Sequence, residues 1–284
     1  SGIAVGFVTN ILNRNPKDVV DACLAAIDNK KIPSLKPWIR GFTGTFMRDE
    51  GNPKTWKIKG KYEVVNTTTV KITEIPPNFT YEKYEAHLDK LIEKKVISDY
   101  DDNSSEQIEY ILKFQRASLK SYISNGRLDR LLKINSQETE NLTTIDENGN
   151  LKIFNKVEDI VSHFVKIRLV YYDKRKEFLL NKLNKELLVI SNKARFIKDI
   201  IENKLKINNV PKSQIILYLE TADYDMLDES YNYLLSMPIY SLTKERFEEL
   251  LKQKEVKEQN IIEVEKTKPM NMYKEDLIEL KKNL

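Results

Sequence analysis

The sequence contains few of the residues that cross-link a chain or carry acid–base and metal chemistry. Among its 284 residues there are one cysteine, Cys23, and two histidines, His87 and His163. A single cysteine excludes an internal disulfide framework and is typical of a reducing compartment. The two histidines fall on separate predicted helices and neither belongs to an H-E-x-x-H motif, so we expect surface or packing roles for both.

Other functional patterns are also missing. No apolar run approaches the roughly 20 residues that a membrane span requires, and no G-x-x-x-x-G-K-[ST] motif is present to hold a nucleoside triphosphate. The carboxylates of Asp99, Asp101 and Asp102 could suggest a metal site, but the polar residues 103–105 that follow favour a solvated loop. The residues themselves therefore predict no membrane contact, no metal site and no independent catalytic centre.

Positive charge is concentrated in one segment of the chain. The net charge of the whole sequence is only +4, yet residues 30–61 contain nine basic and two acidic residues, which gives this segment a net charge of +7. Such a segment is the expected footprint of a surface that neutralises phosphates. A solvated lysine-rich surface explains the charge alone equally well.

The first 155 residues have the patterning of a mixed α and β region. Helices are predicted by proline near a helix start and by apolar residues spaced three and four apart. Strands are predicted by a high density of β-branched residues, and Asn148-Gly149 predicts a hairpin turn. The predicted elements are a helix over residues 16–28, strands over 56–60 and 62–75 with a turn at NTT, a helix over 80–95, a strand over 108–114, and a hairpin of 142–145 with 151–154.

The sequence pattern changes after residue 155. Residues 156–205 contain no glycine or proline, and their apolar positions follow heptads with a register slip near Lys174 and Phe178. A helix of about 50 residues would be about 75 Å long, too long for one compact core to cover, so it must project and pair with another helix. The predicted apolar positions are Ile160, Phe164, Ile167 and Tyr171, then Leu180, Leu183, Leu187, Ile190, Ala194, Ile197 and Ile201.

A partner for this helix is available within the chain. Pro211 and the stretch TADYD separate shorter helical pieces, and Thr243 precedes a further helical stretch. The apolar positions of that stretch are Phe247, Leu250, Leu251 and Val256. We therefore expect an out-and-back antiparallel hairpin with a small helical module at its turn.

Seven stretches, taken together and in order, resemble one family. They are SGIAVGFVTNILNRNP, PWIRGFTGTF, TVKITEIP, YYDKRKEFLL, ARFIKDIIENKLKINN, YNYLLSMPIYSLTKERFEELLKQ and TKPMNMYKEDLIEL. The sequence resembles the breakage-reunion subunit of type II DNA topoisomerases over residues 1–280. It is most similar to the medium subunit of T-even phages and to the corresponding part of the eukaryotic enzymes, because the chain ends soon after YKEDL.

The resemblance implies an α+β fold made of a mixed α/β tower domain, a long antiparallel coiled-coil arm and a helical exit-gate module. The implied segments are the tower domain over residues 1–155, a descending coiled-coil helix over 156–205, an exit-gate and dimerisation module over 206–242, and the return and closing helices over 243–284. The first residues would belong to an incomplete DNA-gate region.

The resemblance also implies a function, which is strand passage. Enzymes of this family cut both strands of one duplex, pass another duplex through, reseal the break and release the passed duplex through a lower gate. Their nucleophilic tyrosine usually follows an arginine, and none of the 14 tyrosines here does. SGIAVG is accordingly interpreted as the start of a fragment that is not active alone and holds no catalytic residue.

Site residues follow from the same resemblance. Ile3 matches the isoleucine that wedges between base pairs and kinks the duplex. The residues expected to contact phosphates are Lys36, Arg40, Arg48, Lys57 and Lys59. The residues expected to associate across a twofold axis are Ile215, Ile216, Leu219, Tyr231, Leu234 and Leu235, although all six could instead be internal core.

The implied partners are double-stranded DNA, a second copy of this chain at the exit gate, and a large subunit that carries the ATPase and the metal-binding module. No cofactor is expected on this fragment, whereas ATP and Mg²⁺ are implied for the holoenzyme. The implied location is the cytoplasm, that of the host cell if the protein is phage-encoded. A non-enzymatic coiled-coil DNA-binding or scaffold protein is the alternative, since it would show the same basic head and long arm.

Overall fold

The protein is described by a computed structural model over residues 1–4 and 6–284. Its contacts divide the chain into two compact units, which are Ser1–Phe164 together with Leu284, and Val165–Asn283. The predicted division into four segments stays a prediction.

The first unit combines short strands with short helices, as the sequence predicts. Its elements are β1 (Gly2–Ala4), β2 (Phe7–Thr9), α1 (Pro16–Ile27), β3 (Thr45–Arg48), β4 (Thr55–Lys59), β5 (Lys61–Val64), β6 (Thr69–Glu74), α2 (Tyr81–Glu93), β7 (Asp99–Asp102), β8 (Tyr110–Lys113), α3 (Arg116–Ser124), α4 (Leu128–Leu131), β9 (Asn135–Thr139), β10 (Thr143–Ile145), β11 (Leu151–Ile153) and the start of α5 (Val157–Ile201).

The strands pair antiparallel in small sheets. Their orders are β1-β2, β10-β11, β3-β4-β9 and β5-β6-β8-β7. In the four-stranded sheet the side chains alternate between two faces. Val70 and Ile72 of β6 are fully buried in the main core, whereas Lys71 between them lies on the other face and pairs with Glu109. One face of this sheet therefore packs on α2, α3 and α4, which supply Leu88, Leu119 and Leu128 to the same core.

Local sequence signals account for several element ends. The Asn15 side chain accepts a hydrogen bond from the Lys17 amide at 2.9 Å, so it caps α1 just before Pro16. Thr80 caps α2 in the same way. Gly149 has a φ of 82° in the β10-β11 turn, a conformation that favours glycine. The helices, strands and hairpin expected in this half of the chain are confirmed within a few residues.

The carboxylates near residue 100 do not lie in a solvated loop. Asp99 and Asp101 belong to β7, where both pair with Lys113 of β8 across the strand register. Asp102 accepts a hydrogen bond from the Ser104 amide at 2.9 Å. The loop prediction was wrong because cross-strand pairing with lysine stabilises acidic residues that have low intrinsic strand propensity.

The second unit is helical. It contains most of α5, followed by α6 (Lys212–Thr221), α7 (Asn232–Leu235), a 3₁₀ turn (Ile239–Ser241), α8 (Lys244–Lys266) and α9 (Pro269–Lys282). The 45-residue α5 is uninterrupted, including the predicted register slip. Thr243 caps α8 through a hydrogen bond from the Arg246 amide.

Helices α5 and α8 run antiparallel. Near the start of α8, Leu250 packs in one core with Ala194 and Ile197 of α5. About two turns further along α8, Lys257 forms an ion pair with Glu186. Glu186 precedes Ala194 and Ile197 in α5, so the two helices run in opposite directions. At the end of α8, the Lys176 ammonium donates to the carbonyls of Glu265 and Thr267. The out-and-back pairing expected from the sequence is therefore present in these contacts.

The buried face of α5 differs from the first predicted stripe. Phe164 and Tyr171 are 52% and 53% exposed, whereas Val165 and Tyr172 are buried beside them. The prediction was one position off because apolar residues occupy two adjacent stripes, and spacing alone cannot choose between them. In the second stripe Ala194 and Ile197 are buried as predicted, and Ile201 is 40% exposed.

The predicted stripe of α8 is also partly wrong. Leu250 is buried and Phe247 packs beside it, but Leu251 and Val256 are exposed at 38% and 58%. The other buried residue of this helix is Ile261. The side of α8 that faces α5 thus includes Lys257, which pairs with Glu186. A pattern based on apolar residues alone does not identify this lysine.

Candidate nucleic-acid interface

The basic residues around β4 lie on two faces of its sheet. Lys57 and Lys59 are two residues apart on β4, so their side chains share a face. Trp56 and Ile58 alternate with them and are buried. Arg48 stands opposite Trp56 in the β3-β4 register, and its guanidinium lies 4.9 Å from the centre of the indole ring. Arg48 is therefore separated from Lys57 and Lys59.

Both lysines on the first face already have acidic partners. Lys57 Nζ lies 2.6 Å from Asp49 Oδ1. The hydrogen bond to Asp49 raises the pKa of Lys57, and the same hydrogen bond lowers the pKa of the Asp49 carboxyl. Lys59 Nζ lies 2.6 Å from Asp129 Oδ2. A phosphate at this face would have to share these lysines with the two carboxylates.

Asp129 was not expected at this face, because it lies 70 residues beyond Lys59 in the chain. Its carboxylate accepts hydrogen bonds from Lys59 and from the Tyr62 hydroxyl, both at 2.6 Å. Burial raises the pKa of Asp129, but these two hydrogen bonds outweigh it and hold the pKa below its ordinary value. Burial and the neighbouring Asp129 raise the pKa of Tyr62 to about 12.

Lys36 and Arg40 lie in the segment between α1 and β3, and both are exposed. The backbone next to Lys36 is fixed, because the Leu35 amide donates to the Glu158 carboxylate at 2.8 Å and the Leu35 carbonyl accepts from Arg14. Arg40 lines a cavity of about 780 Å³ together with Lys61 and Glu74. Lys36 and Arg40 thus stay available to solvent on an anchored segment.

Ile3 projects from the β1-β2 hairpin and is 90% exposed. The chain that follows the hairpin is held by the last residue of β9 and by the segment directly after it. The backbones of Asn10 and Asn141 exchange hydrogen bonds of 3.0 and 2.8 Å, and the Asn10 side chain donates to the Thr139 carbonyl at 2.9 Å. Ile3 is therefore an exposed apolar side chain on a hairpin whose following segment is anchored.

A buried ion pair, which the sequence did not indicate, lies below this hairpin. Arg14 Nη2 lies 2.9 Å from both carboxylate oxygens of Glu140, and the two side chains are only 5% and 4% exposed. The same carboxylate accepts from the Leu12 amide at 3.0 Å and from the Trp56 indole at 2.9 Å. Glu140 therefore joins the segment after β2 to strand β4.

The six apolar residues expected at a dimer contact are not equivalent. Leu219, Tyr231 and Leu234 are buried inside the second unit, in a core with Phe196 and Leu205. Ile215, Ile216 and Leu235 are half-buried against that core. For these three side chains the structure favours the alternative that the sequence left open, which is internal core. The exposed apolar residues of the same region are Leu217, Met226, Ile239 and Tyr240.

The two histidines have packing and surface contacts. His87 Nε2 lies 2.9 Å from the Leu131 carbonyl. Burial and nearby lysines lower the pKa of His87, although the bond to the carbonyl raises it. His163 contacts Lys152 and Glu147. Within residues 1–4 and 6–284, no group of three or more His, Cys, Asp or Glu side chains is arranged to hold a metal ion.

The helices can also be compared with the requirements of a membrane span. In the part of the chain that the structure describes, none of them is both long enough and apolar enough to cross a bilayer.

Comparison with known proteins identifies the family. A family model that describes the A-type subunit of DNA gyrase/topoisomerase IV matches residues 1–279. The chain belongs to this family. The expected resemblance to the breakage-reunion subunit of type II topoisomerases is confirmed.

Individual members of the topoisomerase family show the same extent of similarity. DNA topoisomerase 2 of Candida albicans is 28% identical over 98% of this chain and 23% of its own length. DNA topoisomerase 2-alpha of Gallus gallus is 30% identical over 97% of this chain and 20% of its own length. The chain thus spans about a fifth of the length of the curated relatives that it matches.

A solved structure extends the similarity to three dimensions. The crystal structure of the Plasmodium falciparum topoisomerase II DNA-binding, cleavage and re-ligation domain has a TM-score of 0.87 and 30% sequence identity to this chain. The match covers 99% of this chain and 43% of that one. The mixed α/β fold expected from the sequence is therefore the fold of this family.

Proposed function

We propose that this chain is the DNA-gripping and exit-gate part of an ATP-dependent type II topoisomerase, which relaxes DNA by double-strand cleavage, duplex passage and religation. The observation that carries the proposal is the structural match over 99% of the chain to a domain described as binding, cleaving and re-ligating DNA. In this role the first unit holds the duplex that is cut. The helical unit forms the coiled-coil arm and the lower gate.

The finer assignment is to the medium-subunit type of T-even phages, although the relatives reported above are eukaryotic. In this assignment the nucleophilic tyrosine is not among the 14 tyrosines of the sequence. A large subunit supplies the ATPase and the Mg²⁺-binding module, and this chain contributes no catalytic group of its own. The enzyme would act in the cytoplasm of the cell that contains the DNA.

The proposed wedge is Ile3. Its 90% exposure leaves an apolar side chain in water, whereas insertion between base pairs buries that side chain and stabilises a kinked duplex. In the intact subunit, Ile3→Ala should reduce the bend of a bound duplex, measured by energy transfer between dyes on its ends. An unchanged bend and unchanged cleavage would remove Ile3 from the proposal.

The proposed phosphate contacts are Lys36, Arg40, Arg48, Lys57 and Lys59. Lys36 and Arg40 are exposed, and we expect each to contribute about one unit to the salt dependence of DNA binding. Lys57 and Lys59 should contribute less, because Asp49 and Asp129 compete with phosphate for them. Charge reversal of Lys36 and Arg40 together that leaves the salt slope unaltered would contradict this assignment.

A reconstitution tests the function as a whole. The chain joined to an upstream segment that bears the cleavage tyrosine, and mixed with the ATPase subunit, should relax supercoiled plasmid in the presence of ATP and Mg²⁺. Omission of this chain should abolish relaxation. DNA binding without relaxation in the complete mixture would instead favour the alternative, a coiled-coil DNA-binding or scaffold protein.

A further inference from the structure

A cleft of about 310 Å³ lies on the Arg48 side of the β3-β4-β9 sheet, away from Lys57 and Lys59. Three cationic residues line it, namely Arg48, Lys54 and Lys156, together with the carboxylate of Glu140. Lys156 lies about 100 residues beyond the other two cations, so the basic segment at residues 30–61 did not include it. The fold brings these three charges to one place.

The carboxylate in the cleft does not neutralise these cations. Glu140 accepts both of its short contacts from Arg14 Nη2 and further hydrogen bonds from the Leu12 amide and the Trp56 indole. Arg14 is not one of the residues that line the cleft. The charge of Glu140 is therefore balanced by Arg14, and its carboxylate oxygens already accept hydrogen bonds from Arg14, Leu12 and Trp56.

Among the residues that the structure describes, the three cations have no acidic partner of their own. In the described ranges 1–4 and 6–284, neither Arg48, Lys54 nor Lys156 forms an ion pair, in contrast to Lys57 and Lys59. Like charges gathered without counter-charge repel each other, and an anion between them would relieve that repulsion. Among the residues that line this cleft, the one carboxylate, Glu140, is already paired with Arg14, so the lining carries an excess of positive charge.

The Arg48 guanidinium lies over the Trp56 indole ring. Its central carbon lies 4.9 Å from the centre of the Trp56 ring, and Trp56 is in turn held by its hydrogen bond to Glu140. A guanidinium over an aromatic face is held by cation–π attraction and can still donate from the N–H groups at its edge. A planar guanidinium can bind two oxygens of one phosphate through two parallel N–H···O hydrogen bonds.

A neighbouring cleft of about 380 Å³ is a weaker candidate. Arg48 and Lys156 line it as well, with Lys31, but Glu158 and Asp159 line it too. The Glu158 carboxylate accepts a hydrogen bond from the Leu35 amide, and the Asp159 carboxylate remains to balance a cation. Of the two clefts, the one that includes Lys54 has the larger excess of positive charge in its lining, because its carboxylate is paired with Arg14.

We propose that Arg48, Lys54 and Lys156 form a phosphate-binding site. Arg48 donates two N–H groups to two phosphate oxygens, and the lysine ammonium groups approach the remaining oxygens. The phosphate belongs either to the backbone of a bound duplex or to a free phosphate anion, and the duplex source rests on the function proposed above. Phosphate contacts on this side of the sheet lie on the face opposite to Lys57 and Lys59.

The first test measures DNA affinity of the 284-residue chain for a fluorescent duplex at KCl concentrations between about 50 and 300 mM. Lys54→Gln and Lys156→Gln, which alter solvent-accessible side chains, should each lower the slope of log K against log salt by about 0.9 unit. Arg48→Gln should do the same. Lys120→Gln on α3, another exposed lysine, is the matched control and should leave the slope unchanged.

The second test distinguishes the two sources. Inorganic phosphate is added at constant ionic strength and the unfolding temperature is measured for the wild-type chain and for Lys156→Gln. A rise in wild type that the variant lacks indicates a free-anion site, and lowered salt slopes without such a rise indicate the DNA backbone. The site would be overturned if the wild-type chain binds DNA, the three variants keep its salt slope, and phosphate does not raise the unfolding temperature of wild type.

If the function proposed above is wrong, the two tests give a pattern of results that differs from those described so far. In that case the wild-type chain shows no salt-dependent DNA binding, and the phosphate titration alone decides the site. Stabilisation by phosphate that Lys156→Gln removes then supports it, and absence of stabilisation in wild type rejects it.

Discussion

At the scale of single residues, the carboxylate of Glu140 combines deep burial with an ion pair and further hydrogen bonds. It is almost fully buried, paired with Arg14 and bonded to two further donors. Removing one member of a buried pair leaves the other charge uncompensated, which costs far more than the pair itself contributes. The segment between β2 and α1 therefore depends on this contact for its position.

We predict that Glu140→Leu lowers the free energy of unfolding by about 3–5 kcal/mol, because Arg14 remains buried without a partner. Urea unfolding monitored by circular dichroism measures the change. The double variant Arg14→Met with Glu140→Leu removes both charges and should recover part of the loss. A single variant that loses less than about 1 kcal/mol would show that the pair is not decisive for stability.

Residue-scale contacts also set limits on what sequence reasoning could find. The basic segment at residues 30–61 identified Arg48, Lys57 and Lys59, yet it gave no sign that their side chains point to opposite faces with different partners. Asp129 on α4 comes shortly before β9 and Glu140 comes directly after it, so the pairing of β9 with β4 brings both from far along the chain. Such long-range partners have no local signature in one sequence.

At the scale of elements, the α5–α8 pair shows which apolar positions carry stability. Leu250 is 2% exposed and packs on Ala194 and Ile197, whereas Val256 on the same helix is 58% exposed. Both residues were expected on the buried face. Burial in the folded helix pair separates them, and the separation can be measured.

We predict that Leu250→Ala lowers the free energy of unfolding by about 2–5 kcal/mol, from lost transfer energy and the cavity that remains. Val256→Ala, the matched control, should change it by less than about 0.5 kcal/mol. Chemical denaturation of the two variants in parallel measures both values. Equal losses would mean that the helix pair is assembled in another register.

Helix α9 is held to α5 by contacts that depend on an ionised carboxylate. Asp276 accepts hydrogen bonds from the Tyr172 hydroxyl and from Arg175, and the rings of Tyr172 and Tyr273 stack at 4.7 Å. Burial raises the pKa of Asp276, but the bonds from Tyr172 and Arg175 outweigh it and hold the pKa below the ordinary value. These contacts therefore need the charged form.

We predict a pH dependence from this carboxylate. Because its pKa is lower in the folded chain than in the unfolded one, its stabilising effect is complete above the unfolded pKa of about 3.9 and is lost as the pH falls through the folded pKa. Urea midpoints should fall more steeply below about pH 4 for wild type than for Asp276→Asn. Parallel curves for the two proteins would contradict the assignment.

At the scale of the whole molecule, self-association has to use side chains that the fold leaves outside. Ile239 and Tyr240 are 78% and 84% exposed in the 3₁₀ turn that precedes α8, while Leu219 and Leu234 fill the core of the unit. The exposed pair is therefore the better choice for testing the proposed gate contact, because substitution there does not disturb the core.

We predict that Ile239→Lys with Tyr240→Lys weakens self-association by more than about tenfold. Burial of each large apolar side chain contributes about 1.5–3 kcal/mol, and about 1.4 kcal/mol corresponds to a factor of ten. Sedimentation equilibrium measures the dissociation constant. Phe178→Lys on α5, another exposed apolar site, serves as the control, and equal effects of the two changes would point to non-specific association.

The sequence by itself determined the order and type of most elements, the length of α5 and membership of the topoisomerase family, because caps, periodicity and ordered motifs are local properties of the chain. The tertiary structure decided which of two adjacent apolar stripes is buried on α5, and which basic residues are paired. It also decided that Arg48, Lys54 and Lys156 share a cleft. Burial and charge pairing depend on residues far apart in sequence, so only the folded chain specifies them.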